Sequence, residues 1–232
     1  MDFFEEILNA QITFGDGQHI LWREVVGNLF GLASAVGGMR RKIWAWPVGI
    51  VGNVLLFTVF LGAVFATPQG ANLLGQAGRQ VMFAAVSVYG WYRWRSARGD
   101  SGAPAVVPRW ASWRERAGMV AVAAVGVAVL TPLFRSLGSF EPVWADAWIF
   151  MGSLLATYGM ARGWTDFWLI WVLVDLVGVP LLLRAQLYPS AVLYLVYGGF
   201  VIWGFAVWLR AQRREQPTDA GRPDSPAVET VG

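Results

Sequence analysis

The sequence predicts an all-α integral membrane protein of seven transmembrane helices, on three observations. Charged residues make up 14% of the 232-residue chain against 56% hydrophobic, with a mean hydropathy of +0.48. Soluble domains carry roughly 25% charged residues, so this chain has too little charge to cover a water-facing surface. Seven apolar runs, each near the ~20 residues that cross a bilayer, alternate with short polar stretches. Basic residues collect in every second connection, as the positive-inside rule requires of a multispan protein.

Residues 1–19 precede the first run and begin "MDFFEEILNA". They are acidic and lack the basic start of a cleaved signal, so they read as a mature extracytoplasmic segment suited to a short amphipathic helix at the interface. His19 falls here, where a solvated or interfacial side chain is expected. Span one, 20–39, carries the amide Asn28 as helix glue and Gly27-x-x-x-Gly31 as a close-packing motif. Span two, 43–63, stacks Trp46, Gly49 and Asn53 on one helical face. Span three, 72–94, stacks Gln80, Phe83 and Ser87. Span four, 115–134, is almost featureless Ala, Val and Gly. Span five is 143–161. Span six, 165–183, stacks Trp168, Trp171 and Asp175 at i, i+3 and i+7. Span seven, 187–209, adds Ser190, Tyr194 and Tyr197. From Arg210 to 232 the chain turns polar and Pro-rich, the composition of a disordered tail.

The basic connections set the orientation. Arg40, Arg41 and Lys42 follow span one, and Arg95, Arg98, Arg109, Arg114 and Arg116 follow span three. Arg162 follows span five, and Arg210, Arg213 and Arg214 follow span seven. The alternate connections, "ATPQGAN" among them, are poorer. This places the N-terminus outside and the C-terminus in the cytoplasm, and it treats the basic runs as topology signals rather than ligand or nucleic-acid sites.

An internal repeat is visible. Trp46 and Asn53 recur 122 residues later as Trp168 and Asp175, and one residue off that register Met39–Arg40 falls opposite Met160–Ala161. The chain therefore divides into a first three-helix repeat (20–94), a basic cytoplasmic loop with a linker helix (95–142) and a second three-helix repeat (143–209). Three spans plus one is an even number, so both triplets enter from the same side. The halves are then parallel repeats about an axis along the membrane normal, with a site between them.

Polar groups at bilayer depth cost several kcal/mol unless they face a bundle interior, so Asn53 and Asp175 point inward. Three readings of Asp175 stand: it lines a ligand site, it locks helices through Gln80, a tyrosine or backbone, or it couples a proton. An aromatic wall carrying a few polar groups suits a flat, polar-edged heterocycle. Tyr194 and Tyr197 lie too deep for an interfacial belt and favour a cavity. Trp44, Trp91, Trp94, Trp110, Trp113, Trp203 and Trp208 lie near helix ends, where belt anchoring is expected. No cysteine and one histidine argue against a metal site. With no Walker A stretch and no Ser/His/Asp arrangement either, the chain is expected to be neither an enzyme nor a cofactor protein.

Three of these stretches carry a resemblance. "IWAWPVGIVGN" with "RQVMFAAVSVYGWYRW" is similar to the W-x-W-P-x-G-I and Q-x-x-F…S-x-Y-G-W-x-x-W pattern of the PnuC family of vitamin transporters, and "FWLIWVLVD" to its W-x-x-W-x-x-x-D. The match runs from about 22 to 210. It implies a three-one-three fold related to the SWEET proteins, a homotrimer, location in the bacterial cell membrane and facilitated diffusion. Uptake in that family is made directional by a cytoplasmic kinase that phosphorylates the vitamin. Trp46, Gln80, Phe83, Trp168, Trp171 and Asp175 match motif positions near the family's substrate site. Phe167 stands where the family's nicotinamide riboside transporters carry Asn. "REVVGN", "WRER", "WADAWIF", "MARGWTDFW" and "VDLVGVPLL" instead resemble the riboflavin-transporting branch. The expected substrate is riboflavin, with nicotinamide riboside and thiamine as alternatives. Trp168 and Trp171 would stack on its ring with Trp46 opposite, and Asp175, Asn53 and Gln80 would hold its polar edges, while one triplet rocks against the other. A proton-coupled symporter using Asp175 and a non-transporting membrane subunit are the other classes left open.

Overall fold

The computed structural model describes residues 9–14, 18–65, 74–97, 105–138, 141–184 and 188–215. A hairpin of β1 (Gln11–Phe14) and β2 (Gln18–Leu21) leads into α1 (Trp22–Met39) and α2 (Ala45–Phe60). Then follow α3 (Leu74–Ala97), α4 (Trp113–Ser136), α5 (Val143–Arg162), α6 (Asp166–Arg184) and α7 (Tyr188–Glu215). Each of the seven expected spans coincides with one helix. The hairpin was not anticipated, although Gly15-Asp16-Gly17 between its strands is a turn signal. The expected amphipathic helix before it and the tail beyond 215 lie outside the described residues, as do the side chains of His19 and Ser190. The boundary at Arg210 needs correcting: α7 continues to Glu215, because Glu215 ion-pairs with Arg41 at 2.7 Å and Gln212 accepts a 2.7 Å hydrogen bond from Thr165.

Packing follows the inward faces. α1 packs on α2 and α2 on α3, while α5 packs on α6 and α6 on α7. The two groups meet where α3 touches α5 and α1 touches α7, which closes a ring of six helices, and α4 lies outside it against α5. Between its charged ends α4 is apolar all round, and its Val120, Val125 and Val129 are exposed, the surface of a lipid-facing helix. A capping box starts it: Glu115 N donates to Ser112 Oγ, and Ser112 N donates to Glu115 Oε2. Between α1 and α2 the approach is close at Gly27, where a Cβ would stand 2.9 Å from Leu56 Cγ and 3.2 Å from Gly52 O. Gly31, its expected partner in the packing motif, would present its own Cβ to open space instead. Asn28 is exposed and donates to Glu24 O of its own helix at 2.8 Å, with no hydrogen bond to another helix among the described residues.

The α1–α2 and α5–α6 turns are built alike. Lys42 N donates to Gly37 O and Trp164 N to Gly159 O, both at 2.9 Å. Arg41 N donates to Gly38 O at 2.9 Å, and Gly163 N to Met160 O at 3.0 Å. Every atom in the second set lies 122 residues after its counterpart in the first. Arg41 (φ 54°) and Gly163 (φ 75°) occupy the same left-handed position. Only Arg41 pays a steric penalty there, and its guanidinium is held by Val106 O at 3.2 Å and by Glu215. The one-residue slip read from Met39–Arg40 disappears: the strict register pairs Met39 with Ala161.

Residues 105–111 run beneath both turns. Arg109 N donates to Gly163 O at 3.0 Å, and Thr165 N to Arg109 O at 2.8 Å. Asp166 accepts from Ala111 N and from Arg116 Nε, each at 2.7 Å. Arg109 grips Glu115 through two hydrogen bonds, which raise its guanidinium pKa above the ordinary value. Besides any topological role, these arginines fasten the loop to the α5–α6 turn.

Candidate functional site: a cavity inside the helix ring

All six ring helices turn polar or small residues inward, and they enclose a cavity of about 410 Å³, within the range of about 300–1,000 Å³ typical of small-molecule pockets. Asn28, Gly31, Ser34 and Ala35 come from α1, and Trp46, Gly49, Asn53, Leu56 and Phe60 from α2. From α3 come Arg79, Gln80, Phe83 and Ser87. Across the ring stand Ser153, Thr157 and Met160 of α5; Phe167, Trp168, Trp171 and Asp175 of α6; and Tyr194, Tyr197, Phe200 and Val201 of α7. Every residue proposed from sequence for the site, Trp46, Asn53, Gln80, Phe83, Phe167, Trp168, Trp171, Asp175, Tyr194 and Tyr197, lies on this one wall. Thr157 and Met160 were missed, as were Ser153, Arg79 and the α1 lining.

The register that relates the turns also relates the wall. At 122 residues apart, Gly31 corresponds to Ser153, Ala35 to Thr157, Trp46 to Trp168, Gly49 to Trp171 and Asn53 to Asp175. For the third helices the offset is 114, pairing Gln80 with Tyr194 and Phe83 with Tyr197. The 122-residue offset leads to Ser153 and Thr157 only once Gly31 and Ala35 of α1 are known to line the cavity.

Trp46, Met160, Phe167 and Trp168 form the cavity floor at the basic end of the bundle, on a buried cluster with Met39, Trp94 and Trp208. The expected stacking arrangement changes here. Trp46 and Trp168 are 2% and 3% exposed and lie edge-on to Trp94 and Trp208, so neither presents a free face. The aromatic pair across the cavity is Phe83 with Trp171, at 6.4 Å between centroids and 31° between planes. Trp94 and Trp208 are fully buried and are not belt residues; Trp44, Trp91, Trp110, Trp113 and Trp203 are exposed as a belt requires.

Polar groups on this wall are left open. Asp175 Oδ2 and the indole N–H groups of Trp46 and Trp168 have no hydrogen-bond partner among the described residues. Asp175 therefore makes no lock with Gln80, a tyrosine or backbone through that oxygen. Arg79 is held by Gln76 on its own helix.

A ring of helices whose two halves share one partly polar, aromatic-walled cavity is the layout of a small-molecule carrier. Residues 21–210 match the family model described as "Nicotinamide mononucleotide transporter", and the chain belongs to that family, the PnuC family of transporters. It is 40% identical over 219 residues to the riboflavin/roseoflavin transporter RibM of Streptomyces davaonensis, covering 93% of this chain and 98% of that protein. It is 25% identical over 240 residues to the nicotinamide riboside transporter PnuC of Escherichia coli K12, covering 92% and 96%. The crystal structure of the vitamin B3 transporter PnuC superposes with a TM-score of 0.65 at 21% identity, over 84% of this chain and 83% of that one. These relatives are transporters, not enzymes.

Proposed function

We propose that this protein is a cell-membrane carrier for uptake of a B-vitamin, with riboflavin as substrate. The observation that carries the reading is the cavity itself: both halves wall it, and aromatic rings and partnerless polar groups line it, in a chain 40% identical to a riboflavin/roseoflavin transporter along nearly its whole length. The isoalloxazine ring enters between Phe83 and Trp171, which must separate slightly from 6.4 Å because a ring between two stacked faces needs about 7 Å. Asp175, Asn53 and Gln80 take its polar edges and the ribityl hydroxyls, with Tyr194 and Tyr197 beside them. Phe167 supplies apolar floor.

The 3+1+3 division at 20–94, 95–142 and 143–209, with its SWEET-type relation, is supported by the matched turns and by α4 lying outside the ring. The charge pattern supports a cytoplasmic C-terminus. Transport is facilitated diffusion by a homotrimer, one cavity per protomer, with a cytoplasmic vitamin kinase trapping the product. Proton coupling is the second reading, favoured by the partnerless oxygen of Asp175; uptake abolished by an uncoupler without any kinase present would establish it.

Tryptophan fluorescence of detergent-solubilised protein, titrated with riboflavin and nicotinamide riboside side by side, tests the assignment. Saturable quenching by riboflavin is expected. Saturation by nicotinamide riboside alone overturns the substrate, and saturation by neither overturns both.

A further inference from the structure

Among the described residues the halves meet where α3 packs against α5 and where α1 touches α7. One buried hydrogen bond spans each. Trp94 of α3 donates its indole N–H to Ala161 O of α5 at 3.2 Å, and Trp208 of α7 donates to Met39 O of α1 at 3.1 Å. The donors are 114 residues apart and the acceptors 122, the two offsets that pair the cavity wall. The bonds are therefore reciprocal: each half's third helix fastens the end of the other half's first helix. Both acceptors lie in the last turn of a helix, where carbonyls have no intrahelical donor. Both donors are completely buried, whereas the indole N–H groups of Trp46 and Trp168 have no partner among the described residues.

These rings also back the floor. Trp94 stands edge-on behind Trp46 at 5.2 Å, and Trp208 behind Trp168 at 6.3 Å. Trp46 and Trp168 are in turn wedged against Gly90 and Gly204, where a Cβ would lie 2.5 and 2.1 Å from the ring. Rocking one half on the other must lengthen the gaps spanned by both bonds before the floor can part. We propose that Trp94 and Trp208 are positioning residues of a gate at the basic end, two reciprocal indole–carbonyl clasps that hold the cavity floor shut. They act through Trp46 and Trp168 and need not touch the substrate. Water entering the parted floor would hydrate the freed groups, so the clasp is reversible. The proposal rests on the carrier reading.

The chain has no cysteine, so one added thiol reports cleanly. Thr157→Cys on the cavity wall, labelled in oriented vesicles by a membrane-impermeant thiosulfonate, reads access from each side. Trp94→Phe and Trp208→Phe keep a ring and delete the donor. Losing one net hydrogen bond shifts a two-state equilibrium about five-fold, and losing both about thirty-fold. Labelling from the basic end should rise by those factors while labelling from the opposite end does not rise. An equal rise from both ends marks a merely structural role and overturns the proposal, as does no rise at all. Should the phenylalanine variants fail to fold, Gly38→Cys with Met160→Cys gives a second test, since a Cβ at Gly38 would touch the Met160 side chain. Oxidising that pair should abolish riboflavin uptake and reductant should restore it; uptake unchanged in the oxidised form overturns the gate. Wild-type protein that does not bind riboflavin would refute the substrate while leaving the sided labelling intact, so the two failures are distinguishable.

Discussion

Asp175→Ala should stabilise the empty protein and cripple the loaded one. Oδ2 of Asp175 is buried without a partner among the described residues, and its near neighbour is the Gly198 backbone, where a Cβ would sit 3.4 Å away. An unsatisfied buried polar atom costs about 1–3 kcal/mol. Truncation enlarges an existing cavity rather than opening a new one, so the offsetting packing loss is small. The net gain is about 1–2 kcal/mol, a rise of several degrees in melting temperature at about 2–4 °C per kcal/mol for a chain of this size. With riboflavin bound the sign reverses. A hydrogen bond to a charged group contributes about 1.5–3 kcal/mol, so affinity should fall by about ten- to a hundred-fold. Melting curves in detergent with and without riboflavin read both effects, because ligand stabilisation shrinks as Kd rises. A variant that melts lower while binding riboflavin unchanged would show that Asp175 holds helices together and would remove it from the site.

Gly204→Ala should lower stability by about 1–3 kcal/mol, since its Cβ would lie 2.1 Å from Trp168 Cη2 where carbon contacts need about 3.5–4 Å; Gly199→Ala, with nothing within 4 Å, is the control, and equal melting temperatures would contradict the wedge. Asp166→Asn leaves one amide N–H facing a donor, Ala111 N or Arg116 Nε, and should lose about 1–2 kcal/mol, the ion pair being partly exposed, with riboflavin affinity unchanged. Phe167→Asn removes a ring packed at 4.4 Å from Trp168 and 4.9 Å from Trp208, so it should destabilise by about 3 kcal/mol. It should also move the ratio of nicotinamide riboside to riboflavin affinity upward at least ten-fold; an unmoved ratio would make Phe167 only floor.

Much of this arrangement was legible because a membrane leaves a polar residue few places to go. Asn53, Gln80 and Asp175 could only face inward, and their spacing on 3.6-residue helices named the faces that meet in the cavity. Legibility ended where burial depends on a partner from elsewhere in the chain. Trp94 and Trp208 look, in one dimension, like Trp91 and Trp203, three and five residues away; only carbonyls from the opposite half distinguish clasp from belt. α5 gave no signal because it is buried nearly all round among small and apolar residues, so no polar stripe marks Ser153 and Thr157. The hairpin was hidden by its brevity, and α7 beyond Arg210 by a polar composition that Arg41 and Thr165 satisfy.

What differs between paired positions is as telling as what matches. Trp46 and Trp168, and Trp94 and Trp208, are identical in type and belong to the floor, whereas Gly49 against Trp171, Asn53 against Asp175 and Gln80 against Tyr194 differ and belong to the wall. A wall alike in both halves would accept a lopsided vitamin equally well in two orientations. A small, amide-bearing half set against a bulky, acid-bearing half would remove that degeneracy, while in the floor only the tryptophans match, Met160 and Phe167 standing in register with Gly38 and Ala45. The double exchange Asn53→Asp with Asp175→Asn isolates this effect, because it conserves net charge and side-chain size and only moves the acid across the axis. It should melt within about 1 kcal/mol of wild type, each site exchanging near-isosteric groups. Riboflavin affinity should nevertheless fall at least ten-fold, because the acid would now stand beside Gly49 rather than Trp171. Wild-type affinity in the exchanged protein would mean that the cavity senses a negative charge without sensing its position, and the orienting role of the asymmetry would be wrong.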